Sequence, residues 1–197
     1  MAKLKWKGGA LIAPVPPTMV SCMGSDGKPN IITVGWTGIL STHPPKTYVS
    51  VRPQRHSYAL IKESGEFVIN LTTKELVRAA DFCGMKTGRK TDKFKACSLT
   101  PEFDTEESFS CPAIAESPLS IQCKVTDVIP LGSHDMFMAD VVGILVDERI
   151  VDGAGRLCLD KAGLAAYAHG EYFELGKKLG AFGFSVTKKK KRTDAKK

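Results

Sequence analysis

The sequence predicts a mainly β protein, built as a barrel or a sandwich. Short apolar segments rich in β-branched residues recur along its first two-thirds, and turn sequences such as SDGKPN (25–30) separate them at hairpin spacing. Few segments have helical spacing, which argues against a doubly wound α/β sheet. At 197 residues, with 43% hydrophobic residues, the chain is expected to form one domain with room for a cofactor pocket.

The first part of the chain is predicted to alternate strands with two helices. The strands are expected at 18–24, 31–41, 47–52 and 66–71. One helix is predicted over 57–65, with Ser57 as its N-cap and Gly65 at its end. The second is predicted over 74–85, where apolar residues fall on one helical face.

The second part contains a long connection and two longer strands. Residues 86–118 are irregular and polar, a length typical of a functional loop. Strands are predicted at 119–131 and 135–151, with a Gly-Ser-His turn between them. A turn at 152–156 and a helix near 161–168 complete the prediction.

The net charge of +7 is concentrated at the two ends of the chain. The segment TKKKKRTDAKK (187–197) carries +6 and the first seven residues add three lysines, which leaves 8–185 at about −2. We therefore expect a folded domain over 1–185 and a basic, disordered tail over 186–197. Specific nucleic-acid binding is not expected, although a nucleic-acid-associated module acting through the tail remains the last-ranked alternative.

The cysteines and apolar segments bear on the compartment. None of the six cysteines belongs to a CxxC pair, so zinc or thioredoxin-like sites are not expected. The cysteines are instead expected to be buried, reduced thiols. The four histidines are far apart and no HExxH occurs, so no metal site is predicted. The chain shows neither a signal-peptide pattern nor an apolar run near the ~18 residues of a membrane span, which predicts a cytoplasmic protein.

The segment SVRPQRHSY (50–58) concentrates hydrogen-bond donors at a predicted strand-to-helix turn. The guanidinium of Arg55, the ring of His56, the hydroxyl of Ser57 and the first N–H groups of the helix together suit a phosphate group. A solvated surface turn with an N-cap serine explains the same residues. Both interpretations stay open on spacing alone.

Three further segments have possible roles in binding. Gly35 and Gly38 interrupt a strong strand, which marks either a bulge or a place where a flat ligand approaches the backbone. The basic segment KTGRKTDKF (86–94) suits an anion without being a Walker or dinucleotide motif. His134 lies in a turn before an apolar strand and is either catalytic or an ordinary surface or core histidine.

Seven segments together resemble the flavin reductase-like family of FMN-binding split barrels, which includes flavoredoxins and flavin or ferric reductases. They are APVPPTMVSC (13–22), NIITVGWTGILSTHPP (30–45), SVRPQRHSY (50–58), GEFVINL (65–71), KTGRKTDKF (86–94), GSHDMFMADVV (132–142) and HGEYFELGKKLGAFGFS (169–185). The resemblance implies a six-stranded antiparallel Greek-key split β-barrel with a few peripheral helices. It also implies a homodimer with one FMN per subunit near the interface.

The resemblance also implies roles for individual residues. The FMN phosphate would be held by Arg55, His56 and Ser57, and the isoalloxazine would be lined by Thr33, Val34, Gly35, Trp36 and Thr37. The ring or ribityl chain would be flanked by Ser50, Val51 and Arg52, and the long loop would contribute Thr87, Gly88, Arg89 and Lys90. His134 would lie near the nicotinamide and act in catalysis.

The implied activity is hydride transfer from NADH or NADPH to flavin, with electrons passing to free flavin, a ferric chelate or a protein. The alternative is an FMN-containing electron carrier that a protein partner reduces and that has little activity with NAD(P)H.

Overall fold

The computed structural model describes residues 1–104 and 109–186. The strands of this part are β1 (Thr18–Met23), β2 (Pro29–Val34), β3 (Thr37–Thr42), β4 (Pro45–Val51), β5 (Glu66–Asn70), β6 (Pro101–Glu102), β7 (Ala113–Ile114), β8 (Leu119–Pro130), β9 (Asp135–Val146), β10 (Ala165–Ala168) and β11 (Glu171–Glu174). The helices are α1 (His56–Ser64), α2 (Val77–Met85) and α3 (Lys93–Ala96). The prediction of a mainly β fold with few helices is confirmed.

One antiparallel sheet of seven strands, in the order β2-β1-β5-β8-β9-β4-β3, dominates the fold. The sheet has one strand more than the six expected, because the predicted strand 31–41 is two strands, β2 and β3. These two strands are the opposite edges of the sheet, yet only Gly35 and Trp36 join them. Three peptide units span at most about 11 Å, so the sheet must curl until its edges adjoin. The barrel is split at this short link.

Bulges on the long strands and an apolar interior accompany the curl. The register of the β8–β9 pair shifts between Gln122 and Cys123 and again between Val125 and Asp127, and such bulges bend a strand and increase its twist. The enclosed core is apolar and mostly β-branched or aromatic, as alternation along the strands predicts. Its fully buried members include Val20, Val49, Ile61, Phe67 and Phe137.

Helix α1 lies where it was predicted, but its N-cap differs. Arg55 occupies the N-cap position, and no side chain there accepts a hydrogen bond from the first turn. Ser57 is buried inside the first turn instead of capping it, so that prediction was wrong. Gly65 ends the helix in the left-handed conformation at φ 70, and its N–H donates to the carbonyl of Ile61 at 2.9 Å.

The helix predicted near 161–168 was also wrong. A short 3₁₀ turn, Leu159–Lys161, leads into β10, which pairs with β11 as a hairpin. Backbone bridges from β10 to Val15 and from Leu164 to Thr73 bind this hairpin to the body of the protein. Pairing partners that are distant in sequence therefore override the local helical spacing.

The other predicted boundaries differ less from the observed ones. Strand β9 ends at Val146, because the 3₁₀ turn Glu148–Ile150 follows where a strand was expected up to 151. The connection 86–118 is not wholly irregular, since it contains α3 and the small β6–β7 pair. The predicted basic tail from 187 onward lies outside the described residues. None of the helices in residues 1–104 and 109–186 is long and apolar enough to cross a membrane.

Candidate functional site

The principal cleft consists of two adjoining cavities at the split of the barrel. The smaller cavity measures about 410 Å³ and the larger about 540 Å³, sizes typical of small-molecule sites. Ile32, Arg52 and Arg55 line both cavities, so the two lie side by side in one cleft. An elongated ligand fits this shape better than a compact one.

The turn between β4 and α1 forms one wall of the smaller cavity. Pro53 follows β4 and cannot continue the ladder as a donor, and the N–H of Arg55 donates back to the carbonyl of Arg52 at 3.0 Å. This turn presents the side chains of Arg52, Arg55 and His56 at the N-terminus of α1. The helix dipole there adds positive potential to that of the arginines.

The side chain of Asn30, in β2, holds the Ser57 hydroxyl in place through a hydrogen bond. The Asn30 side-chain nitrogen donates to Ser57 Oγ at 2.7 Å, and both residues are buried. Gly88 of the 86–92 loop lies against this pair, because a methyl group on it would overlap Asn30 Oδ1 and approach the ring of His56. Strand, helix and loop thus meet at one hydrogen bond beside the cavity.

Lys93 is the buried cation of the smaller cavity, and the sequence predictions did not name it. The residue is 3% exposed, and its Nζ donates to the carbonyls of Ile31 at 2.6 Å and Cys83 at 2.8 Å. Within the described part of the chain, no carboxylate pairs with this ammonium. Burial lowers the pKa of Lys93, as expected for a charge removed from water without a counter-ion.

The lining of the smaller cavity carries positive charge and no carboxylate: Ile32, Arg52, Gln54, Arg55, His56, Ser57, Cys83, Lys86, Thr87, Gly88 and Lys93. Burial lowers the pKa of His56, and the positive charges of Arg89 and Lys93 lower it further. The smaller contribution, from the two cations, reflects the positive potential of this cavity. This cavity therefore suits a multiply charged anion such as a phosphate monoester.

The larger cavity has a different lining. The barrel edge contributes Thr33, Val34, Gly35, Trp36, Ser50 and Val51, and α2 with the β10–β11 hairpin contributes Asp81, Gly84, Met85, Tyr167, Gly170 and Tyr172. Trp36 is 41% exposed, and the N–H of Ser50 donates to the Trp36 carbonyl at 2.9 Å. Strand backbone and flat apolar side chains of this kind suit a planar ring system.

His134 lies at the mouth of the larger cavity, in the turn before β9. Its Nδ1 is 2.9 Å from Ser133 Oγ, and its Nε2 is 3.4 Å from Arg52 Nε. Burial lowers the pKa of His134, and the charges of Arg52 and Arg55 lower it further. The ring is therefore predominantly neutral at pH 7, and with Nε2 accepting from Arg52 its proton lies on Nδ1, which donates to Ser133 Oγ.

Thirteen of the sixteen predicted site residues line the cleft. They are Thr33, Val34, Gly35, Trp36, Ser50, Val51, Arg52, Arg55, His56, Ser57, Thr87, Gly88 and His134. The others do not line it: the Thr37 hydroxyl donates to the Tyr48 carbonyl at 2.6 Å, and Arg89 and Lys90 lie on the exposed side of the 86–92 loop. Arg89 still acts on the cleft through its charge on His56.

Sequence reasoning missed Asn30, Lys93, Asp81 and the two tyrosines of the hairpin. Lys93 belongs to the basic segment that was singled out, but that segment has four lysines or arginines and no local pattern identifies the buried one. Asn30 is 27 residues from its partner Ser57. Tyr167 and Tyr172 fell in a region predicted as helix and loop, so their approach to the cleft was not visible.

A flavin mononucleotide meets the requirements of this cleft on structural grounds. Its phosphate would supply the counter-ion that the buried Lys93 ammonium lacks, and its ring would lie along the barrel edge in the larger cavity. The two cavities lie next to each other, so one FMN molecule could place its phosphate in the smaller cavity and its ring in the larger one. A split barrel with such a cleft suits the class of flavin-binding proteins.

Comparisons with known proteins identify the family. The family model described as "Flavin reductase like domain" matches residues 12–176, and the chain belongs to this family. Its fold is similar to that of a flavoredoxin from Desulfovibrio vulgaris (Miyazaki F), with a TM-score of 0.86 and 28% identity over 94% of this chain and 100% of that one. The predicted split-barrel class is thereby confirmed.

Two relatives are informative. An uncharacterized protein of Archaeoglobus fulgidus is 30% identical over 126 residues, which is 64% of this chain and 70% of the relative. An NADH:riboflavin 5'-phosphate oxidoreductase of Streptomyces pristinaespiralis is 23% identical over 139 residues, 71% of this chain and 73% of the relative. The second relative, together with the family model, supports a role in flavin-related oxidoreduction.

Proposed function

We propose that this protein binds FMN and transfers hydride from NADH or NADPH to flavin, from which electrons pass to an acceptor. The observation that carries the proposal is the buried Lys93 ammonium, which faces the smaller cavity with two neutral carbonyl partners and no carboxylate. An uncompensated buried cation is costly. A phosphate monoester bound beside it offsets that cost, and FMN carries one where riboflavin does not.

The chain's own groups divide the work of binding. Ser57 Oγ accepts a hydrogen bond from Asn30, and its own hydrogen, for which the neighbouring Cys22 sulfur competes, would be donated to a phosphate oxygen. Arg55 and the first N–H groups of α1 add charge-assisted hydrogen bonds. At the other end, Val34, Gly35 and Trp36 offer backbone and apolar surface to the ring and exclude water from one of its sides.

When bound, FMN supplies the two-electron acceptor chemistry that none of the twenty side chains provides. Backbone N–H groups at the barrel edge would stabilise negative charge on a flavin ring bound there. His134 and Arg52 hold the open mouth of the larger cavity, where they orient a nicotinamide. Holding donor and acceptor together supplies much of the rate enhancement, and the absence of a dinucleotide fingerprint is in keeping with transient nicotinamide binding.

A second candidate is an FMN-containing electron carrier that a protein partner reduces. It is favoured by the similarity to a flavoredoxin over almost the whole of both chains. The cleft would bind FMN by the same contacts in both cases. The difference lies at His134, which would then contact no nicotinamide.

Four further proposals accompany the activity. Residues 1–185 form the flavin-binding domain and 186–197 a basic tail, and the protein is cytoplasmic. The acceptor is free flavin, a ferric chelate or an electron-transfer protein. The protein is a homodimer, which is supported by large apolar side chains exposed in both terminal segments, among them Trp6, Leu179 and Phe182.

The decisive experiment is the visible absorption spectrum of the purified, FMN-loaded protein, recorded without oxygen before and after NADH or NADPH is added. We expect flavin bands that survive desalting and that bleach on addition of one of the two nucleotides. Bands that persist with both nucleotides but bleach with a reduced electron-transfer protein would establish the carrier instead. A protein that retains no FMN would contradict both candidates.

A further inference from the structure

Two cysteines meet beneath the smaller cavity. Cys83 Sγ, at the end of α2, lies 4.0 Å from Cys97 Sγ, which directly follows α3. All six cysteines lie within residues 1–104 and 109–186, and in that part of the chain no other two sulfur atoms are in hydrogen-bonding contact. Cys83 is fully buried and lines the cavity, whereas Cys97 is only partly buried.

Lys93 connects this pair of thiols to the cleft. Its Nζ donates to the Cys83 carbonyl at 2.8 Å, and its own carbonyl accepts from the Cys97 N–H at 3.1 Å. The lysine is therefore anchored to both cysteines through the backbone. Its charge also favours the thiolate form of Cys83, against the burial that raises the pKa of Cys83 to about 12.

We propose that Cys83 and Cys97 are a modification site that a hydroperoxide oxidises to a disulfide, and that the disulfide weakens anion binding in the smaller cavity. Hydroperoxides are the class of oxidant that a reduced flavin generates with dioxygen, so this site would meet them at their source. The disulfide itself does not depend on flavin binding. Its effect on the cleft rests on the proposed function.

The chemistry balances with one hydroperoxide for each pair of thiols. The more accessible Cys97 sulfur attacks a peroxide oxygen, the O–O bond breaks, and hydrogen peroxide yields a Cys97 sulfenic acid and water. The Cys83 sulfur then attacks the Cys97 sulfur. An S–S bond forms, the S–O bond breaks, and the proton of Cys83 leaves with the oxygen as a second water.

Bond formation has a mechanical consequence. A disulfide holds its sulfur atoms at about 2 Å, so the two thiols must approach from 4.0 Å. Because Cys97 follows α3 directly, this approach draws α3 toward α2 and displaces Lys93 from its two carbonyl partners. The same closure ties together the ends of the loop that contributes Thr87 and Gly88 to the cavity. We therefore expect FMN to bind less tightly, while riboflavin, which lacks the phosphate, is affected less.

To test the proposal, the full-length protein is treated with hydrogen peroxide in both its FMN-loaded and its flavin-free form. The peptides of each sample are then mapped by mass spectrometry. We expect one dominant crosslink, between Cys83 and Cys97, that dithiothreitol reverses. Cys97→Ser should abolish it, and Cys83→Ala should instead leave a sulfenic acid at Cys97 that dimedone traps. The matched control is Cys158→Ser, which removes another buried cysteine and should leave the crosslink intact. The site is refuted if other cysteines crosslink first, or if peroxide consumes thiols without joining these two.

Dissociation constants for FMN and riboflavin are then measured on the oxidised and re-reduced protein. A several-fold loss of FMN affinity that Cys97→Ser prevents would support the switch. A disulfide that forms without changing FMN affinity would overturn the switch but leave the modification site. A reduced protein that binds neither flavin would refute the proposed function, and the crosslink would still be read independently.

Discussion

The side-chain amide of Asn30 donates a hydrogen bond to the hydroxyl of Ser57 at 2.7 Å, and both side chains are buried beside the smaller cavity. The bond sets the direction of the serine hydroxyl, since an oxygen that accepts from Asn30 keeps its own hydrogen for another acceptor. In Asn30→Asp the carboxylate would accept from Ser57 and reverse that direction. We expect FMN affinity to fall by about 1.5–3 kcal/mol, the size of a charge-assisted hydrogen bond, plus repulsion from the new charge.

Riboflavin titration is the control for Asn30→Asp, because that ligand has no phosphate for Ser57 to contact. Equal losses for FMN and riboflavin would show that the substitution perturbs the barrel edge rather than the phosphate contact. Fluorescence quenching measures both affinities.

Lys93→Met tests whether the buried ammonium contributes to ligand binding rather than to the stability of the fold. Replacing a buried cation that lacks a counter-ion by an apolar side chain of similar length removes a desolvation cost, which offsets the loss of its hydrogen bonds to the carbonyls of Ile31 and Cys83. We expect the flavin-free protein to be as stable as the wild type or more so, by thermal denaturation, while FMN affinity falls at least about tenfold, or 1.4 kcal/mol. The control is Lys95→Met, at an exposed position of the same short helix. Loss of stability without loss of FMN affinity would make Lys93 a structural residue.

Gly88→Ala tests the close approach of the loop to the cavity. A methyl group at this position overlaps the buried Asn30 side chain and approaches His56, so either the loop or Asn30 must move. We expect weaker FMN binding with a small change in thermal stability. Gly153→Ala is the matched control, because nothing lies within 4 Å of the added methyl group there. If Gly88→Ala binds FMN normally, the loop does not need its observed position.

His134→Gln separates the two candidate functions. The imidazole lines the larger cavity and not the smaller one, although its Nε2 contacts Arg52, which lines both. We expect unchanged FMN affinity and slower bleaching by NAD(P)H, measured by anaerobic stopped-flow absorbance, with a higher concentration of nucleotide needed for half-maximal rate. Ser133→Ala, which removes only the hydroxyl near His134 Nδ1, serves as the comparison. Bleaching that is unaffected in His134→Gln would remove this residue from the reaction.

The stability of the flavin-free protein should depend on pH near neutrality. Burial, together with the nearby positive charges, lowers the pKa of both His56 and His134 below the ordinary value. Between the folded and unfolded pKa values the unfolded state binds more protons, so stability is lost as the pH falls. We expect the midpoint temperature of thermal unfolding to fall when the pH is lowered from about 7.5 to about 5.5. His56→Gln should make that fall smaller.

Bound phosphate offers a second check on the pH dependence. An anion beside His56 favours its protonated form, so saturating FMN should flatten the decrease. The exposed His43, which does not line the cleft, provides the control variant His43→Gln. A wild-type midpoint that does not change with pH would contradict the assignment of a cationic, partly desolvated environment to His56.

The sequence alone determined the class of fold and most of the cleft. Period-two apolar patterns and turn sequences are local signals. They located the strands of the large sheet to within a few residues, except that β2 and β3 were predicted as one strand and β9 as a longer one. The cluster Arg55, His56 and Ser57 was recognisable because its members are adjacent in the chain and begin a helix. The family resemblance added Gly35 and Trp36 to the predicted site residues, and the structure places both at the split of the barrel.

Only the tertiary structure decided which charges are buried and which distant residues meet. The burial of Lys93 depends on β2 and α2 approaching it from residues 31 and 83, and no local pattern distinguishes it from the exposed Lys95. The pairing of β10 with β11, which replaced a predicted helix, likewise depends on contacts far along the chain. Local sequence specifies periodicity and turns, whereas desolvation and pairing depend on the complete fold.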